Sequence, residues 1–218
     1  MADVHIRILD GADRGKVLDG LETPITIGRE EGNTIQLNDD RVSRFHVKIQ
    51  EDHEKVVLTD LESTNGTKVN GEDISLRILK FGDMITVGRS VLLFGSRDEI
   101  AGRLAELRTD DVEGTGDLDP EASSLDFELN WSDDEELQST LHVLEPPDLP
   151  DRMDAIQSAQ LSEMVEYMHI RIRRLLNSAT SSEDDDVVAL DQRQWQNLLD
   201  LQARLASYLR TIGKPDEV

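Results

Sequence analysis

Three short clusters in the first third of the chain hold residue types that could grip an oxyanion. They are Gly28-Arg29, then Arg41-Val42-Ser43-Arg44-Phe45-His46-Val47, then Ser63-Thr64-Asn65-Gly66-Thr67-Lys68-Val69-Asn70-Gly71. A phosphate ester carries about −1.5 to −2 charges and three strong acceptor oxygens, so holding one takes fixed donors and positive charge. A guanidinium offers a planar fork of donors that matches phosphate oxygens, and Arg29 and Arg44 supply two of them. The hydroxyls of Ser43 and Thr64 are compact additional donors. Each cluster alone reads as ordinary structure, because glycine–arginine steps and Asn-Gly turns are common. His46 by itself could be read as a general base.

These residues need a scaffold that brings three separated segments to one place. His5-Ile6-Arg7-Ile8-Leu9, Phe45-His46-Val47-Lys48-Ile49 and Met84-Ile85-Thr86-Val87 alternate apolar with other residues, the period of a half-buried strand. Val91-Leu92-Leu93-Phe94 is apolar throughout and predicts a strand covered on both faces. Turn signals punctuate the stretch at Asp10-Gly11, Asp19-Gly20, Glu31-Gly32-Asn33, Asn65-Gly66, Asn70-Gly71 and Phe81-Gly82-Asp83. The linkers are too short for helical crossovers, so the pattern predicts a β-sandwich, which gathers its binding residues in loops at its ends. Ser96 and Glu99 form a capping box that starts a short helix reaching about Arg108.

In this order and spacing the three clusters resemble the forkhead-associated (FHA) family over residues 1–97. The flanks agree: Ile35-Gln36-Leu37, Leu58-Thr59-Asp60-Leu61 and Leu79-Lys80-Phe81-Gly82-Asp83-Met84-Ile85. The resemblance implies a phosphothreonine-binding module, with Arg29 and Ser43 on the phosphate, Arg44 and Thr64 assisting, and Asn65 bonding the backbone of the bound peptide. It implies that His46 braces the loop bearing these contacts and that Gly28 and Gly66 serve backbone geometry. It also implies partners that are threonine-phosphorylated proteins in Ser/Thr kinase signalling.

The remainder of the chain takes nothing from that resemblance. Residues 1–97 carry 13 Lys/Arg against 17 Asp/Glu, whereas residues 98–218 carry 10 against 29. This acidity disfavours nucleic acid and anionic membrane surfaces as partners. From Thr109 to Asp151 there is no Lys or Arg, and Asp, Glu, Ser, Gly and Pro dominate, which predicts a disordered acidic linker. Within it Leu125-Asp126-Phe127-Glu128-Leu129-Asn130-Trp131 is an apolar island. After Pro150, apolar residues recur at three- and four-residue steps from Arg152 to about Asn177. A second such run follows Asp191, a predicted N-cap with Gln194 three residues on, and ends at Gly213. Residues 152–213 are therefore expected to form an α-helical hairpin, whose stripes need a further surface: self-association or a partner helix.

The domains read as 1–97 sandwich, 98–108 short helix, 109–151 linker and 152–213 hairpin. The protein has no cysteine, and its five histidines are scattered. No His-Glu-x-x-His motif or phosphate-cradling glycine loop occurs. No enzyme activity, metal or cofactor is expected. With no secretory leader and no apolar run of about 18–20 residues, the expected location is cytoplasmic. The competing expectation is a structural or assembly protein that uses sandwich and hairpin without phosphate.

Overall fold

A computed structural model of the protein describes residues 3–110, 147–181 and 188–214. They divide into two compact units, one built on the N-terminal strands and one spanning Glu145–Ile212, and each is described by itself. Most of the expected acidic linker, including the Leu125–Trp131 island, lies outside the described residues.

The described residues of the first unit form eleven strands: β1 (Asp3–Asp10), β2 (Val17–Glu22), β3 (Ile25–Gly28), β4 (Ile35–Gln36), β5 (Val47–Asp52), β6 (Lys55–Asp60), β7 (Thr67–Val69), β8 (Glu72–Ile74), β9 (Leu76–Ile78), β10 (Met84–Val87) and β11 (Ser90–Phe94). One sheet has the order β2-β1-β11-β10-β7-β8 and the other β4-β3-β5-β6-β9. Only the β3–β4 pair is parallel. One core, with Ile6, Ile8, Ile85 and Leu92 from the first sheet and Ile27, Val47, Ile49 and Leu58 from the second, lies between them. The fold is the expected mainly-β sandwich. Alternation explains it residue by residue: Val4, Ile6 and Ile8 of β1 are buried while their neighbours are not.

The continuous apolar run of β11 has a specific cause. Leu92 and Phe94 face the inter-sheet core. Leu93 packs on the other side with Ile100 and Leu104 of helix α1 (Arg97–Asp110). That helix begins with the predicted box, the Ser96 N–H donating to the Glu99 carboxylate at 2.7 Å and the Glu99 N–H meeting Ser96 Oγ at 3.4 Å. Asn70 and Gly71 turn β7 into β8 with φ of 52° and 86°, the left-handed pair that a two-residue hairpin requires.

Register places three chain ends together. β3 runs antiparallel to β5 with Ile27 opposite Val47, and β5 to β6 with Val47 opposite Asp60. The end of β3, the start of β5 and the end of β6 therefore share one rim. The segment from Leu37 to His46 arrives there pinned by two buried aspartates. Asp13 accepts from the Asn38 N–H at 2.6 Å, the Asn38 side chain at 2.7 Å and Lys16 Nζ at 2.7 Å. Asp39 accepts from the Arg41 N–H at 2.9 Å and the Arg89 N–H at 2.6 Å.

The second unit is the expected helical hairpin, with corrected limits. Helix α2 spans Ala155–Ser178 and α3 spans Gln192–Ile212. α2 starts three residues later than Arg152 because Asp154 caps it. The Asp154 carboxylate accepts from the Gln157 N–H at 2.7 Å, and the Gln157 side chain accepts from the Asp154 N–H at 3.2 Å. Asp191 caps α3 as expected, accepting from the Gln194 N–H at 2.7 Å. Between the helices, β12 (Thr180–Ser181) pairs with β13 (Val188–Ala189), a short ladder that the polar composition there did not announce.

The Asp13 and Asp39 carboxyls of the first unit both sit below the ordinary carboxyl pKa of 3.8. Burial opposes their charge, but the hydrogen bonds outweigh it: the Asn38 N–H and Lys16 at Asp13, and the N–H groups of Arg41 and Arg89 with the Arg89 charge at Asp39. A depressed folded-state pKa contributes stability that is full above the unfolded value and is lost as pH falls through the folded one. The melting temperature of the first unit should therefore drop as pH falls below about 4. Asp39→Asn should cost about 1–3 kcal/mol at neutral pH and flatten that acid limb. Thermal unfolding of both proteins from pH 7 to pH 3 measures it.

Candidate functional site

The shared rim holds every predicted site residue, and backbone bonds set their spacing. The Arg29 N–H donates to the Ser43 carbonyl at 3.1 Å and the Glu30 N–H to the Arg44 carbonyl at 3.3 Å. The loop after β3 thus lies directly on the loop before β5. Gly28 permits this. A Cβ there would stand 2.1 Å from the Arg44 carbonyl oxygen and 2.8 Å from Asn33 Nδ2, so any side chain would push the Arg44 segment away. Here the need is close approach rather than an unusual φ.

The third cluster joins the other two through side chains. Ser43 Oγ accepts from the Thr64 N–H at 3.0 Å. Asn65 Nδ2 donates to the Arg41 carbonyl at 2.7 Å. His46 is fully buried beneath them. Its Nδ1 accepts from the Ser43 N–H at 3.0 Å, which assigns the ring proton to Nε2, where it donates to the Gly66 carbonyl at 3.2 Å. The neutral imidazole is therefore a strut between the second and third clusters. With both nitrogens engaged and no solvent access, it is not disposed as a base for an external substrate.

Three supporting residues escaped the sequence reading. Asn33, taken there as a turn residue, donates from Nδ2 to the Glu30 carbonyl at 2.9 Å and the Arg44 carbonyl at 2.8 Å. Its Oδ1 is buried without a partner, a cost offset by two satisfied carbonyls. Gln36 holds the Arg29 carbonyl at 3.1 Å. Asp60, seen only as part of a flank, accepts from the Ser63 N–H at 2.8 Å and hydroxyl at 2.6 Å, and from the Thr67 hydroxyl. An Asp three residues before a Ser is the one usable signal here, a local side-chain-to-backbone turn.

Above this frame the side chains of Arg29, Arg44, Thr64 and Asn65 are exposed, with Ser43 half-buried between them. Neither the Arg29 nor the Arg44 guanidinium meets a carboxylate among the described residues. Ser43 Oγ, having accepted one N–H, still has its own proton to give. The rim is thus a fixed set of donors and two uncompensated positive charges. Among the described residues there is no cluster of His, Asp or Glu suited to a metal, and no helix long and apolar enough to cross a membrane.

The FHA domain family matches residues 25–88. The human angiogenic factor with G patch and FHA domains 1 is 39% identical over 82 residues, covering 33% of this chain and 12% of its own. The FHA domain-containing protein FhaA of Mycobacterium tuberculosis is 37% identical over 90 residues, 41% of this chain and 17% of its own. The glycogen accumulation regulator GarA of Mycolicibacterium smegmatis is 34% identical over 85 residues, 38% and 54% respectively. The chain thus spans under a fifth of the longer of these relatives and about half of the shortest. A solved structure described for phosphothreonine-dependent FHA domain interactions is 33% identical, with 44% of this chain and 98% of that one covered and a TM-score of 0.40.

Two substitutions probe the frame itself. His46→Ala removes a buried strut and leaves a cavity, which should cost about 2–4 kcal/mol. Gly28→Ala should cost about 1–3 kcal/mol through forced overpacking. Calorimetry should show both melting below the wild type, and an unshifted transition for Gly28→Ala would mean the Arg44 segment yields freely.

Proposed function

With an FHA domain at residues 25–88 as premise, we propose that the chain is a phosphothreonine-dependent adaptor in Ser/Thr kinase signalling, a cytoplasmic binding protein and not an enzyme. The observation that carries this reading is the pair of uncompensated guanidiniums, Arg29 and Arg44, on two hydrogen-bonded loops with the Ser43 hydroxyl between them. Arg29 and Ser43 contact the phosphate, and Arg44 and Thr64 assist. Asn65 is anchored through Nδ2 to Arg41, which leaves its Oδ1 to accept an N–H of the bound peptide. His46, Gly28 and Gly66 hold the loops in place. The partners are threonine-phosphorylated proteins, the threonine methyl group giving the preference over serine.

In this reading residues 1–97 bind the phosphorylated partner and residues 98–108 close that unit. The acidic 109–151 segment joins it to residues 152–213, which supply the second contact an adaptor requires, by self-association or with a partner helix. A second reading keeps the assembly role and drops the phosphate. It is favoured by the large apolar side chains exposed on the hairpin, among them Leu176 and Leu209. Phosphatase treatment of the peptide separates the two readings, since only the first loses binding.

Removing one charged donor from a desolvated ion-pair site costs about 2–5 kcal/mol. Arg29→Ala and Ser43→Ala should each weaken phosphothreonine-peptide binding at least about tenfold, with the melting temperature unchanged in Arg29→Ala and the domain still folded in Ser43→Ala, which also loses the acceptor of the Thr64 N–H. Isothermal titration of the folded variants measures this, and wild-type affinity in Arg29→Ala would remove that residue from the pocket.

A further inference from the structure

The hairpin has two unlike sides, and helical geometry shows how they are made. Leu175 of α2 and Leu201 of α3 are its buried residues and mark the rows along which the helices meet. The helices run antiparallel, with Arg171 donating to the Asn197 carbonyl at 2.8 Å. At about 100° per residue, Val165, Ile172 and Leu176 fall about a quarter turn from the contact row of α2. Trp195 and Leu209 fall between a quarter and a third of a turn from that of α3, in the same rotational sense viewed from each helix's own N-terminus. Because the helices are antiparallel, equal rotations seen from opposite ends bring both rows to one side of the hairpin. Residues displaced in the opposite sense verify this pairing: Arg174 of α2 and Arg193 of α3 line one cavity of about 460 Å³ on the other side, with Arg171, Ser178 and Asn197.

We propose that the apolar side is a homodimer interface, on which the hairpin of a second copy of this chain packs to complete a four-helix bundle. These five side chains are between 47% and 69% exposed. At on the order of 100 Å² each, with their flanks, they approach the roughly 800 Å² per partner of a standard interface. Gln202 lies between them and Ala206 beside them on α3, and Ser158, Leu161, Met168 and His169 lie among or beside them on α2, so the row carries no Asp, Glu, Lys or Arg in a chain that is 32% charged. That neutrality selects the occupant. In a two-fold contact each patch meets its own copy, so like charges would repel, and a net charge of −23 makes any other face costly to pair. The arginine-lined side could not self-pair for the same reason. The hairpin alone fully buries little besides Leu175 and Leu201, too small a core for an isolated unit of this size.

This deepens the adaptor reading by naming its second contact, and it does not depend on the phosphate pocket. Sedimentation equilibrium of the full chain should give twice the 24.5 kDa of one chain. Ile172→Glu with Leu209→Glu should raise the dimer dissociation constant at least about hundredfold, as burying unpaired charge does, while phosphopeptide affinity stays at wild type. Arg174→Glu, on the opposite side, should leave the dimer intact. Should the double variant lose helicity, the wild-type face is read instead through Trp195 emission in Trp131→Phe, which should shift to the red on dilution. A wild-type chain that sediments as one 24.5 kDa copy with its helices intact would overturn the proposal. So would a double variant that still dimerises, or Trp195 emission unchanged across the dilution.

Discussion

A single buried imidazole holds the rim together. His46 takes one N–H from the segment that carries Ser43 and gives one to the segment that carries Gly66. It does so from a fully buried position where neither bond competes with water. Two clusters far apart in sequence thereby become one surface. The strands fix which ends of the chain arrive at the rim, but their register alone does not set the distance between two loops. The imidazole does, with Asn33 and the Gly28 contact performing the same task between the first and second clusters. Remove the strut, and the guanidiniums remain on the surface without a fixed spacing to present.

The buried aspartates extend this arrangement outward. Asp13 gathers the Asn38 N–H with the Asn38 and Lys16 side chains, and Asp39 gathers the backbone N–H groups of Arg41 and Arg89. A carboxylate is suited to this because it accepts on both oxygens and strengthens every bond it receives. The segment from Leu37 to His46 has almost no regular structure, yet it is fixed at both ends. A loop tied in this way can carry exposed donors without giving up their geometry.

Much of this was legible in the chain, and the boundary of legibility has a physical cause. The strands, the β11 run, the Asn70-Gly71 turn, the Ser96–Glu99 box and the Asp191 cap are local signals, each set by residues within a few positions of one another. The rim clusters were legible because their spacing resembles a known family, with bonding chemistry that fits. Asn33, Gln36 and the two aspartates were not legible, because each also has a partner outside any local pattern: Asn33 reaches Arg44, Gln36 reaches Arg29, Asp39 reaches Arg89 and Asp13 reaches Asn38. No local pattern marks an aspartate that will be buried against a distant N–H. The β12–β13 ladder was missed for a related reason, since two-residue strands carry no period. The start of α2 was misplaced because Asp154 and Gln157 were passed over as a capping pair, although their spacing shows it.

The bonds from Ser43 to Thr64 and from Asn65 to Arg41 tie the rim loops to one another through the protein's own groups. The loops have therefore already lost the freedom that a recognition surface usually surrenders at the moment of contact. In the adaptor reading, an anionic peptide arriving there would meet a finished surface and need not wait for one to form. Its rate of association is then governed by diffusion and by the pull of two exposed cations. Differences among peptide sequences appear instead in how long each one stays. A receptor built this way would sample its surroundings quickly and sort them by residence time.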